Sequence, residues 1–206
     1  ELRRQILRRY AAVAGTSADV PLALWRPESG VPDVGYGKGL FFWLTLRRWL
    51  GEPTFRTALR AFLASRLGRP TGWGPLRAAF LDQLPERSRG EAAAFFDAWL
   101  ERPGAPRLTV AAAEWRPLAR EARVVLRQEA AAGGRAAAAP WPLWVSVRFE
   151  GLSSPPFGAL MREAEQVLRC PVPLQVGTVT VDPDAEAFRL LETDEPLSAR
   201  VRLAGR

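Results

Sequence analysis

Gly35-Tyr36-Gly37-Lys38-Gly39 sets a phenol and an amine two residues apart at the entry to an intensely apolar stretch. Lys38 is chemically conspicuous: of 29 Lys plus Arg it is the single lysine, which leaves 28 arginines. A phenol donates a hydrogen bond and an amine pairs with a carboxylate or a helix end, so any functional reading begins at this segment. The chain has no histidine. Ser-His-Asp triads, Cys-His pairs and His-based zinc sites are therefore excluded within it. Cys170 sits before Pro171 with no histidine to activate it, and reads as a small apolar residue. Asp82, Glu86, Glu91 and Asp97 fall on helical stretches, where exposed charge explains them better than paired acid–base chemistry. Gly35-x-Gly37-x-Gly39 lacks both a preceding strand and the Walker spacing, which argues against a phosphate cradle. Taken by itself, Tyr36 reads as a core or capping tyrosine whose hydroxyl finds a backbone partner.

Helical elements must position this segment. Leu2, Ile6, Leu7 and Tyr10 recur at helical steps and end at Gly15-Thr16, which gives a first helix. Residues 21–35, rich in Pro and Gly, are expected to be extended or turning rather than helical. From Leu40 to Leu50 nearly every residue is apolar, so that helix should be buried over most of its circumference, with Arg47 and Arg48 favouring its C-terminal end and Gly51 stopping it. Pro53 opens a third helix with Phe55, Leu59, Phe62, Leu63 and Leu67 as its inner stripe. Pro75 starts a fourth, with Leu76, Ala79, Phe80 and Leu84 inward. Ser88, with Glu91 three residues on, is the expected N-cap of a fifth that buries Phe95, Phe96, Trp99 and Leu100.

After Pro103-Gly104-Ala105-Pro106 the period becomes alternating. Residues 108–110, 123–128, 143–149 and 176–181 read as strands. Residues 130–139 read as a hairpin-like connection, and Leu160–Leu168 as either a short helix or a strand. Residues 182–195 form an irregular closing segment in which Phe188 and Leu191 pack inward. The expected architecture is α+β and multidomain: an all-α region of about five helices over residues 1–104, then an immunoglobulin-like β-sandwich over 105–206.

At 206 residues and 48% hydrophobic composition, a chain buries roughly 70% of its unfolded surface, enough for a real core. One cysteine makes no internal disulfide. No apolar run approaches the roughly 18 residues a membrane span needs. The net charge of +7 comes from arginines scattered beside glutamates rather than gathered in a tract, so a solvated surface is expected and no nucleic-acid partner.

Tyr36-Gly37-Lys38-Gly39 followed by an apolar helix resembles the Tyr-x-Lys-Gly segment of the gluzincin zinc aminopeptidases, the membrane alanyl aminopeptidase family. Leu46-Arg47-Arg48-Trp49-Leu50-Gly51, Phe55, Leu59 and Phe62 follow that family's helix pair. Phe95-Phe96-Asp97-Ala98-Trp99-Leu100 and residues 103–110 resemble its exit into a β-domain, and Gln128 and Val181-Asp182-Pro183 fit bacterial members. The likeness is specific between about residues 34 and 128 and looser beyond.

The resemblance implies a metalloprotease, a hydrolase acting on peptides, with Tyr36 as the catalytic residue that stabilises the oxyanion. It implies zinc in a longer parent, held by an H-E-x-x-H helix and a later glutamate upstream of the tyrosine. This chain is then the C-terminal fragment, with no metal ligand and no cofactor of its own, and is inactive alone. Glu1 lies too far along to be the third zinc ligand. The missing N-terminal zinc-binding half becomes the expected partner, and an apolar face exposed near Tyr36 a route to self-association. The bacterial cell envelope and the cytoplasm both remain open as compartments. An alternative of another class is a noncatalytic basic module that binds a polyanion or a partner protein.

Overall fold

The computed structural model describes residues 1–28, 30–130, 139–191 and 197–204. It is an α+β protein. Among the described residues, five α-helices and eight strands in two four-stranded sheets are formed. The chain divides into two compact units, one of Ser17–Pro103 and one of Glu1–Thr16 with Gly104–Arg206.

In the unit of Ser17–Pro103, a 3-10 turn at Leu22–Leu24 and a six-residue π-helix at Asp33–Lys38 lead into α2 (Gly39–Leu50), α3 (Glu52–Arg66), α4 (Trp73–Asp82) and α5 (Glu86–Glu101). The core is aromatic. The buried Phe42 ring meets Trp43, Trp73, Phe95, Phe96 and Trp99, with centroids between 5.1 and 6.2 Å, and such tilted and edge-on pairs add to what burial alone contributes.

Three expectations need correction here. Residues 33–35 are helical rather than loop: Pro32 has φ −56° and ψ −33°, and its ring presets the dihedral that a first helical turn needs. Ser88 does not cap α5, which begins at Glu86 after Pro85, and the Ser88 N–H donates to the Pro85 carbonyl within the helix's first turn. The stripe on α3 is inner only in part: Phe55, Leu59 and Phe62 are half-buried, with Phe55 against the rings of Trp43 and Phe80, while Leu63 and Leu67 are 50% and 83% exposed. Helical spacing reveals an apolar stripe but not whether a neighbour covers it.

Gly51 ends α2 at φ 77°, with its N–H bonded to the Arg47 carbonyl. A side chain at this positive φ is strained, although its Cβ would meet nothing nearer than Pro53 Cδ at 4.0 Å. Gly51→Ala is therefore expected to cost about 1 kcal/mol in denaturant unfolding.

In the other unit, α1 (Leu2–Val13) buries Ile6, Leu7 and Tyr10. It belongs here, not with the other helices, because its partners lie in the closing segment: the Tyr10 ring is 4.7 Å from Phe188, and Arg3 and Arg4 donate to the carbonyls of Asp184 and Pro183. That segment turns on Asp182. Its buried carboxylate accepts the N–H groups of Glu186 and Ala187 at 2.6 and 3.0 Å and the Arg189 guanidinium at 3.1 Å. Phe188 is fully buried and Leu191 half-buried.

One sheet runs β5-β2-β1-β8 and the other β4-β3-β6-β7, from β1 (Pro106–Arg116), β2 (Glu121–Ala130), β3 (Leu143–Phe149), β4 (Phe157–Met161), β5 (Glu165–Pro171), β6 (Thr178–Val181), β7 (Leu197–Arg200) and β8 (Arg202–Leu203). Pairing is antiparallel except between β1 and β8. The undecided Leu160–Leu168 stretch is strand, a turn, then strand. Buried Gln128 on β2 donates to the Trp141 and Glu163 carbonyls and accepts the Trp141 N–H, which satisfies its amide away from water. The hairpin-like connection expected at 130–139 and the end of the closing segment lie largely outside the described residues.

Candidate functional site

The π-helix brings Tyr36 to the surface and Lys38 to the interior. A π turn spreads successive side chains differently from an α turn, and such turns are frequent at functional sites. Tyr36 is 68% exposed, with its ring edge-on to Trp25 at 5.1 Å and 71°. It is neither a core nor a capping tyrosine.

Two residues on, Lys38 is fully buried. Its Nζ donates to the backbone carbonyl of Arg102, the residue that closes α5. The amine thus takes one of the carbonyls that a helix leaves without an intrahelical partner, at the negative end of the dipole. Burial lowers its pKa from 10.5 to about 7; the buried Asp19 carboxylate pulls it back up and the Arg102 guanidinium pushes it further down. Both positional roles open to this lysine, a helix end and a carboxylate in electrostatic reach, are present. The turn bearing Tyr36 is therefore tied to α5 from beneath.

Trp25 holds it from the side. The indole Nε1–H donates to the Val31 carbonyl at 2.8 Å, and a Cβ on Gly30 or Gly35 would come within 2.2 or 2.3 Å of the indole. The two glycines leave room for a flat ring against the backbone. Trp25, Asp19 and Arg102 were not singled out in the sequence, because their spacing from Tyr36 carries no periodicity. The one available signal was a tryptophan isolated in a Pro/Gly-rich stretch 11 residues before the tyrosine (25 to 36).

The other polar candidates do not converge on Tyr36. Asp97 on α5 pairs with Arg77 on α4 at 2.7 Å, as a surface ion pair does. Cys170 is buried in β5, where desolvation raises its thiol pKa to about 11, so it is no nucleophile near neutrality. Among the described residues no group of three or more Cys, Asp or Glu could hold a metal ion, and no helix is long and apolar enough to cross a membrane.

No protein-family pattern and no curated protein sequence matches the chain. Among solved structures it is similar to Legionella pneumophila aminopeptidase A in complex with aspartic acid, with a TM-score of 0.60 and 13% sequence identity. The match covers 80% of this chain and 18% of that one, so the chain spans less than a fifth of that aminopeptidase. At this identity the likeness is one of fold.

Proposed function

We propose that this chain is the downstream portion of a zinc-dependent aminopeptidase of the membrane alanyl aminopeptidase family, an enzyme that removes N-terminal residues from peptides. The observation that carries the reading is the placement of Tyr36: an exposed phenol on a π turn whose next-but-one residue is anchored to a helix end. The fold likeness to an aminopeptidase supports it. When a peptide carbonyl is attacked, charge gathers on its oxygen, and a phenol fixed in advance beside that oxygen donates a hydrogen bond that strengthens as the charge grows. Tyr36 fills this role. In this reading the zinc ligands belong to the longer parent, and this chain contributes the donor alone. The helices of Ser17–Pro103 form the tail of the catalytic domain. The two sheets form a sandwich of immunoglobulin-like type, a reading supported by the alternating burial along β6 and by the buried Leu143, Val145, Val147 and Phe149 at every second position of β3.

The basic-module alternative is weaker, because several exposed arginines already sit against carboxylates: Arg47 with Glu52, Arg127 with Glu165, Arg148 with Asp184 and Arg169 with Glu121. The isolated chain is expected to be inert toward an aminoacyl chromogenic substrate even with added zinc. Metal-dependent turnover by this chain alone would overturn the division of labour proposed.

A further inference from the structure

We infer that Trp25 is a positioning residue for Tyr36, acting as the wall that restricts the exposed phenol to one orientation. Its catalytic consequence rests on the function proposed above; the ring contact itself does not. A tyrosine that is 68% exposed has few neighbours to select a rotamer, and ordering a mobile side chain only when substrate arrives reduces what its hydrogen bond contributes. Among the described residues the indole of Trp25 is the one ring that Tyr36 meets, edge-on at 5.1 Å. The indole is itself fixed three ways: Nε1 is bonded to the Val31 carbonyl, the backbone at Gly30 lies under one side of it, and the backbone at Gly35, adjacent to Tyr36, lies under its six-membered ring. Gly35 therefore does two things. It admits the indole, and it passes any shift of the indole directly to the neighbouring tyrosine.

The chain has two tyrosines, which makes the contact measurable without turnover. In protein labelled with 3-fluorotyrosine, fluorine NMR gives one resonance for Tyr10, buried beside Phe188, and one for Tyr36, assigned with a Tyr36→Phe sample. Trp25→Leu is expected to move the Tyr36 resonance toward its position in the denatured chain and to leave Tyr10 unmoved. Gly35→Ala, whose Cβ would collide with the indole, is expected to produce the same shift with Trp25 still present, and Trp25→Phe to restore part of it. Far-UV circular dichroism of each variant confirms that the helices remain. In the full-length protein, Trp25→Leu is expected to lower kcat about two- to tenfold with KM nearly constant, the range of an aromatic edge contact. An unmoved Tyr36 resonance in folded Trp25→Leu overturns the inference, as does a moved resonance with unchanged kcat in an enzyme that depends on Tyr36. A moved resonance in a full-length protein without peptidase activity keeps the ring contact and removes the proposed function instead.

Discussion

Tyr36→Phe in the full-length protein is expected to lower kcat by about 10²–10³ while KM changes little, the signature of a hydrogen bond made in the transition state rather than to bound substrate. The substitution removes one oxygen. The ring remains to meet Trp25, and at a position this exposed stability should stay within about 0.5 kcal/mol of wild type. Loss of rate without loss of stability separates a donor from a structural tyrosine. Steady-state kinetics on an aminoacyl substrate, paired with a denaturation curve, measures both; unchanged kcat would remove Tyr36 from the chemistry.

The second large effect concerns Lys38. Its folded-state pKa of about 7 lies below the ordinary lysine value of 10.5, so between these values the unfolded chain holds a proton that the folded chain does not. Stability then rises with pH through this window, at up to about 1.4 kcal/mol per pH unit. Below pH 7 both states are protonated and the cost of burying the charge is present in full. Cys170, with its pKa raised from 9.0 to about 11, works in the opposite sense: the folded state keeps a proton that the unfolded state loses, and stability falls from pH 9 upward. The clean interval is pH 7 to 9, where a chain without histidine also lacks the side chain that ordinarily titrates nearest neutrality. Denaturant unfolding of the Ser17–Pro103 unit should show a gain on the order of 2 kcal/mol across that interval. Lys38→Met should abolish the slope. A flat wild-type profile would mean that the amine is not desolvated as described.

How far the sequence disclosed this arrangement depended on the kind of signal. Phe41, Phe42 and Leu46 of the apolar run at 40–50 and the Phe95, Phe96, Trp99 and Leu100 face are buried where their spacing placed them, because one continuous aromatic core joins the two helices. Periodicity could not show that Leu63 and Leu67 on α3 are uncovered, since that depends on what packs alongside. Nor could it join α1 to the closing segment, a pairing between residues more than 170 positions apart. The site was legible in part. Tyr36 and Lys38 stood out by composition and motif, whereas their supports, Asp19, Trp25 and the Arg102 carbonyl, come from three other stretches and are joined to them only by tertiary folding. A carbonyl is present at every residue, so no sequence marks the one that a buried lysine will use.

The role proposed for this chain, to contribute the oxyanion donor of a zinc aminopeptidase, has a direct readout: incubation of the purified full-length protein with an aminoacyl chromogenic substrate, before and after chelation and after zinc is restored. The expected result is release of the N-terminal residue that chelation abolishes, zinc restores and Tyr36→Phe suppresses about 10²–10³-fold. A folded full-length protein that releases no N-terminal residue with zinc present, or does so equally well without Tyr36, would contradict it.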